Sequence, residues 1–305
     1  MPVDPELQPI LDLINAGTPM SAQNPEEARD AFRMLTVGMR NPDLVVPVAS
    51  VVDGTVAGAE GPLPTRVYRP DAIGLVPTVV LFHGGGFVIG DLDTHDSMAR
   101  SLCAGTGSVV VSVDYRLAPE HPYPAAALDA IAATTAVLSD LDSYGGSPVV
   151  GVAGDSAGGN LSAVVAQQVP GIAAQLLVYP ATDLIGDYPS RAENATGYLL
   201  DEDTMNWFMG QYLSAGPDPV DPRLAPLHGE LAGLPPAIVV VAELDPLRDE
   251  GVAYAEAMDA AGVTVTLRRY DGLIHGFFDL GGWSKASQAA IEETIGLFAE
   301  LLAAG

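Results

Sequence analysis

Residues 149–159 read VVGVAGDSAGG, an apolar β-branched run that stops abruptly at Gly-Asp-Ser-Ala-Gly. The run has the character of a buried strand, and the residues after it that of a helix, so the chain turns sharply at Ser156. A turn this tight crowds the backbone, and Gly154 and Gly158, lacking side chains, relieve the clash on either side. Ser156 is then held clear of the sheet at the head of a helix whose N-terminal dipole points toward it. A serine presented this way is a candidate nucleophile.

The rest of the chain repeats this alternation. Strands are expected at 46–52, 65–69, 78–82, 109–113, 149–153, 175–179, 238–241 and 263–269, with helices at 96–104, 125–139, 157–168, 246–261 and 284–304. Several of the strands are apolar on both faces, as buried parallel strands must be. The expected fold class is therefore α/β, a sheet with crossover helices. Two segments fit the rhythm poorly. The first 40 residues carry amphipathic helices at 5–16 and 25–40, with Leu7, Ile10, Leu11 and Ile14 on one face of the former. The second, 185–227, contains the helical patch 201–213, DEDTMNWFMGQYL, then a Pro/Asp-rich connection. Its Met205, Trp207, Phe208, Met209 and Tyr212 read as buried packing first and as an apolar lid second.

A length of 305 residues suits one large domain or a core with a modest accessory piece. Net charge of −26 argues against nucleic acid or an anionic membrane surface as partner, since both demand Lys and Arg. Lys285 is the sole lysine; this acidity reads as a need for solubility or as adaptation to salt. Cys103 stands alone, which excludes an intramolecular disulfide and leaves a thiolate metal cluster without support. The N-terminus shows no signal peptide, and no apolar run approaches the roughly 20 residues of a membrane span. A cytoplasmic, soluble protein is expected, and the sequon at Asn194 carries little meaning in that setting.

A serine hydroxyl needs a base to take its proton and a third group to orient that base. Of five histidines, only His275 combines a position after a strand, flanking Gly272 and Gly276, and a place before the last helix. For the acid, 238–244 end in Asp245-Pro246, which puts Asp245 at the same sheet edge as Ser156. Glu243 and Asp183 remain rivals on position alone. The chymotrypsin-like alternative fails, because there the histidine and aspartate precede the serine. His83-Gly-Gly-Gly-Phe87 directly follows a strand. Consecutive glycines let main-chain N–H groups approach a ligand, here as part of an oxyanion hole completed by the N–H of Ala157. A phosphate cradle is the competing use, but the run matches neither Rossmann nor P-loop spacing.

Taken together, HGGGF, DYRLAPEHPYPAAAL (114–128), GDSAGG, DPLRDEG (245–251) and HGF (275–277) resemble the hormone-sensitive-lipase-like carboxylesterases, the bacterial family IV branch of the α/β-hydrolases. The likeness extends over nearly the whole chain from Val46. It implies an α/β-hydrolase fold, with a mostly parallel eight-stranded sheet flanked by helices and a helical cap. The cap would comprise 1–44 and 185–227, and the core 45–184 and 228–305. Ser156 would be nucleophile, His275 base and Asp245 orienting acid, the DPLRDEG match favouring Asp245 over Glu243. Gly85, Gly86 and Ala157 would donate to the oxyanion, with Gly84 permitting the turn and His83 structural.

The implied activity is hydrolysis of small-molecule carboxylic esters of short to medium acyl chain, without metal or organic cofactor. Amide or formamide hydrolysis and a non-catalytic receptor on the same scaffold are the alternatives, and the presence of His275 speaks against the receptor. A homodimer through the edge strand at 263–269 and the last helix would follow the family pattern. Arg268 and Arg269 could equally blunt that edge.

Overall fold

The structure is a computed structural model and describes residues 2–305. Eight strands form one sheet: β1 (Ser50–Gly58), β2 (Gly61–Arg69), β3 (Val76–Phe82), β4 (Val109–Val113), β5 (Gly146–Asp155), β6 (Ala174–Val178), β7 (Ala237–Leu244) and β8 (Val265–Ile274). Their order is β1-β2-β4-β3-β5-β6-β7-β8. β2 runs antiparallel to both its neighbours, and every other pair is parallel. The side chains explain the choice. Val79, Val80, Leu81 and Phe82 of β3 are all fully buried. Val80 and Phe82 enter one apolar cluster, and Val79 and Leu81 enter another on the opposite face. A strand buried on both faces needs helices above and below, and parallel crossovers supply them.

The helices are α1 (Gln8–Ala16), α2 (Pro25–Arg33), α3 (Asp96–Thr106), α4 (Ala125–Ser139), α5 (Leu141–Tyr144), α6 (Ala157–Gln168), α7 (Pro189–Glu193), α8 (Glu202–Tyr212), α9 (Arg248–Ala260) and α10 (Lys285–Ala304). Residues of α4 and α6 share one apolar cluster, and those of α1, α3 and α10 share the other. Leu7, Ile10 and Leu11 are buried, as their common face requires.

Several boundaries depart from the expectation. The first strand starts at Ser50, not 46, because Pro47 has no N–H to offer a ladder. The helix expected over 25–40 ends at Arg33 and passes into a π-helical turn, Met34–Gly38. There the Thr36 hydroxyl donates to the Phe32 carbonyl at 2.8 Å, competing with the backbone for that acceptor. β8 does not stop at 269 but runs to Ile274, with a register shift opposite Glu243. Gly272, at φ 72°, takes up that irregularity. The short α5 and α7 went unforeseen, since one helical turn carries no readable periodicity.

α2 is fastened over the sheet edge by arginines. Arg29 donates from Nε to the Val88 carbonyl and from Nη2 to the Ala118 carbonyl, both at 2.9 Å, and pairs with Glu120. Arg33 pairs with Asp91 and Asp93, and Arg40, beyond α2, donates to the Asp93 carbonyl at 2.8 Å.

Candidate active site

β5 ends at Asp155 and α6 begins at Ala157, so Ser156 alone makes the turn, at φ 54° and ψ −116°. That conformation is strained for any L-residue and persists only where neighbours impose it. The Ser156 N–H donates to the Val178 carbonyl at 2.8 Å, and its own carbonyl accepts from Asn160 N–H at 3.0 Å. A Cβ on Gly158 would collide with the Phe82 carbonyl, and one on Gly154 with the main chain of Gly158. The glycines permit the approach that the turn requires.

His275 follows the last residue of β8, and Asp245 the last residue of β7. Both strands therefore deliver their side chains to the edge where β5 delivers Ser156. His275 Nδ1 lies 2.8 Å from Asp245 Oδ2, and Nε2 lies 3.0 Å from Ser156 Oγ. Asp245 is fully buried, and its Oδ1 accepts from Leu247 N–H at 2.8 Å. A carboxylate facing Nδ1 assigns the ring proton there, which leaves the Nε2 lone pair for the serine hydroxyl.

The loop after β3 carries His83 to Phe87. Gly86 adopts φ 57°, and any side chain there would strike the Phe208 ring. His83 is buried, donates from Nδ1 to the Gly84 carbonyl at 2.7 Å, and stacks on Tyr115 with centroids 4.3 Å apart. Gly84 N–H donates to Asp155 Oδ1 at 2.8 Å, tying this loop to the serine turn. Among the described residues, the N–H groups of Gly85, Gly86 and Ala157 have no protein acceptor. Three free donors beside a serine suit an anion that forms only during reaction.

Ser156 and His275 open onto a cavity of about 960 Å³. Met20, Phe32, Leu35 and Met39 line it from the N-terminal segment, and Leu199, Met205, Phe208 and Met209 from the segment before β7. The apolar patch of α8 thus serves both expected ends. Tyr212 is buried and stacks on Phe87 at 4.0 Å, while Met205 and Met209 face the cavity.

The rival acids are otherwise engaged. Glu243 Oε2 accepts from Gly272 N–H at 2.8 Å. Asp183 meets His228 Nε2 at 2.9 Å and the Tyr188 hydroxyl at 2.8 Å. Sequence reasoning missed Asn194, read only as a sequon, whose Nδ2 donates to the Asp245 carbonyl at 3.1 Å. It also passed over Arg191 and Glu250, an ion pair at 2.7 Å beside the cavity. Burial pushes the Glu250 carboxyl up to about 7, against the opposing charge of Arg191. No local motif announces Arg191, and Glu250, though it lies within DPLRDEG, drew no role there, because the two meet across a long stretch of chain.

Comparison with known proteins adds relatives to this geometry. Residues 79–279 match a family model described as the alpha/beta hydrolase fold. The chain is 46% identical over 275 residues to the carboxylic ester hydrolase LipN of Mycobacterium tuberculosis, a match covering 85% of this chain and 72% of that protein. It is 37% identical over 303 residues to an ethyl acetate hydrolase of Pseudomonas putida, covering 92% of this chain and 93% of the other. Among solved structures, a hyperthermophilic esterase from the archaeon Pyrobaculum calidifontis superposes with a TM-score of 0.93 at 39% identity, covering 99% of both chains.

Proposed function

Because the chain belongs to the α/β-hydrolase family, we propose that it is a carboxylesterase working through Ser156, His275 and Asp245. One observation carries this reading: a continuous hydrogen-bond line from Asp245 through His275 to Ser156, ending beside three unclaimed N–H donors. His275 takes the Ser156 proton as the hydroxyl oxygen attacks the ester carbonyl. The carbonyl oxygen becomes an anion held by the N–H groups of Gly85, Gly86 and Ala157. Collapse expels the alcohol, which leaves with the proton from His275. Water then enters, gives its proton to His275 and attacks the acyl-enzyme; a second collapse releases the acid and reprotonates Ser156.

Segments 1–44 and 185–227 act as the cap over this centre, and their apolar walls receive the acyl group. The preferred substrates are soluble esters of short to medium acyl chain, since a chain with net charge −26 is repelled by anionic lipid surfaces. Among the described residues, no helix is long and apolar enough to cross a membrane. The test is labelling by a fluorophosphonate together with hydrolysis of p-nitrophenyl butyrate and palmitate. Ser156→Ala should abolish labelling and lower kcat by about 10⁴-fold or more. Normal turnover in that variant would refute the nucleophile, and preference for palmitate would refute the chain-length assignment.

A further inference from the structure

Behind the serine turn lies a buried cluster that the proposed mechanism leaves unused. His95, at the start of α3, is 1% exposed, and its Nε2 lies 3.5 Å from Asp155 Oδ1 and 4.0 Å from Asp279 Oδ2. Asp155 immediately precedes Ser156 and holds the Gly84 N–H of the oxyanion loop. Asp279 lies in the short 3₁₀ turn Phe277–Asp279 that follows His275 and Gly276. One imidazole therefore stands between the nucleophile's turn and the loop that carries the base.

Hydrogen-bond accounting fixes the proton on one of its nitrogens, and charge favours one on the other. The Thr94 hydroxyl lies 2.9 Å from the Asp91 carbonyl, to which it donates, and accepts from Asp91 N–H at 2.8 Å. His95 Nδ1, 2.9 Å from the same oxygen, then meets a lone pair and must supply a proton. Nε2 makes no hydrogen bond, but it faces the carboxylates of Asp155 and Asp279 at 3.5 and 4.0 Å, and their negative field favours a proton there as well. Burial alone would lower the pKa of this ring, but Asp155 and Asp279 reverse that and raise it to about 9.

Resting on the esterase reading above, we propose that His95 is a positioning residue. It is an imidazolium at neutral pH that holds Asp155 and Asp279 in one buried ion cluster, so that oxyanion loop and base loop keep their register. Its charge has a second effect. An unbalanced Asp155 anion beside the oxyanion donors would oppose the negative charge forming there, and the imidazolium offsets it. Both effects act on the transition state more than on bound substrate, so they belong to kcat and not to KM. The other groups facing the cluster do not replace this cation. His83, with centroid 5.3 Å away, is held neutral with its pKa down at about 4, chiefly by burial and then by the His95 charge. The buried Tyr179 hydroxyl stays protonated, its pKa raised by burial and then by Asp155. Arg40 and His275 reach the cluster through Asp279, and Asp91 adds a further anion on the Thr94 side.

The experiment combines ¹⁵N NMR of the histidine rings with kinetics of two variants. At about pH 8 both His95 nitrogens should report as protonated, a state that free histidine leaves well below that pH. His95→Gln, which keeps a donor near the Nε2 position but no charge, should lower kcat about 10- to 100-fold with KM within about twofold. If that variant fails to fold, Asp279→Asn, matched in shape, decides the matter: about a tenfold loss in kcat with KM kept is the expected result. A neutral nitrogen on His95, or wild-type kcat in a folded variant, would overturn the proposal. Failure of the esterase reading would appear separately, as absence of ester turnover and of Ser156 labelling in the unaltered protein.

Discussion

A methyl group at Gly158 would occupy the space of the Phe82 carbonyl, which belongs to β3 and cannot yield without breaking its ladder. Gly158→Ala should therefore destabilise the fold by about 3 kcal/mol or more, at the upper end of overpacking, read as a fall in urea midpoint. A wild-type midpoint would show that the turn can relax. At Asp245, the proposed orienting acid, the expectation differs. Asp245→Asn preserves the shape of a fully buried residue, but its amide can present an N–H toward Nδ1 and favour the wrong tautomer. kcat should drop by about 10⁴-fold with little change in KM or melting temperature. Equal loss in Glu243→Gln with activity retained in Asp245→Asn would transfer the role. Ser156 was legible because its constraint is local: strand, turn and two glycines lie within a few residues. Asp245 was preferred from its place between a strand end and a helix start, and the family likeness strengthened it against Glu243. In the structure Glu243 serves Gly272 and Asp183 serves His228, pairings that sequence position could not reveal.

Most elements were legible because each buries a continuous apolar run or stripe; α4 and α6 fall within the bounds their sequence implied. α2 is different. Its sequence is mostly polar, with only Ala28 fully buried among its residues, and it is fixed by what its arginines reach. Arg29 donates to two main-chain carbonyls and a carboxylate across elements, and no periodicity encodes such bonds. Arg29→Ala should weaken docking of α2 by about 1–3 kcal/mol, the worth of charge-assisted hydrogen bonds. Exchange of the 25–40 amides should accelerate accordingly, while those of β3 and β5 stay protected. Because Phe32 and Leu35 line the cavity, KM for a butyrate ester should rise as well. Unchanged exchange over 25–40 would mean that Arg33, Arg40 and apolar contact hold the helix without Arg29.

The whole molecule has 39 acidic side chains against 13 basic ones, an excess of 26, and the charges it buries make its stability depend on pH in a definite sense. Glu250 ionises at 4.5 in an ordinary setting but at about 7 here, chiefly through burial. Between those values the unfolded chain releases a proton that the folded chain keeps, so stability falls as pH rises. His95 adds a loss of the same sign: its stabilisation is complete below the ordinary value of 6.5 and disappears through about 9. Repulsion among the surplus carboxylates grows in the same direction. On the acid side the sense reverses. Arg29 holds Glu120 down at about 2, and Arg66 and Arg33 hold Asp93 below the usual carboxylate range. Their contribution is present above the ordinary carboxylate values and is lost as pH falls through the depressed ones. Stability should therefore peak near about pH 5 and decline toward neutrality. Glu250→Gln should flatten that decline by about 3 kcal/mol between pH 4.5 and 7, the linkage value of the Glu250 shift. Urea unfolding across that range measures it directly, and a variant whose stability runs parallel to that of the unaltered protein would remove Glu250 from the account.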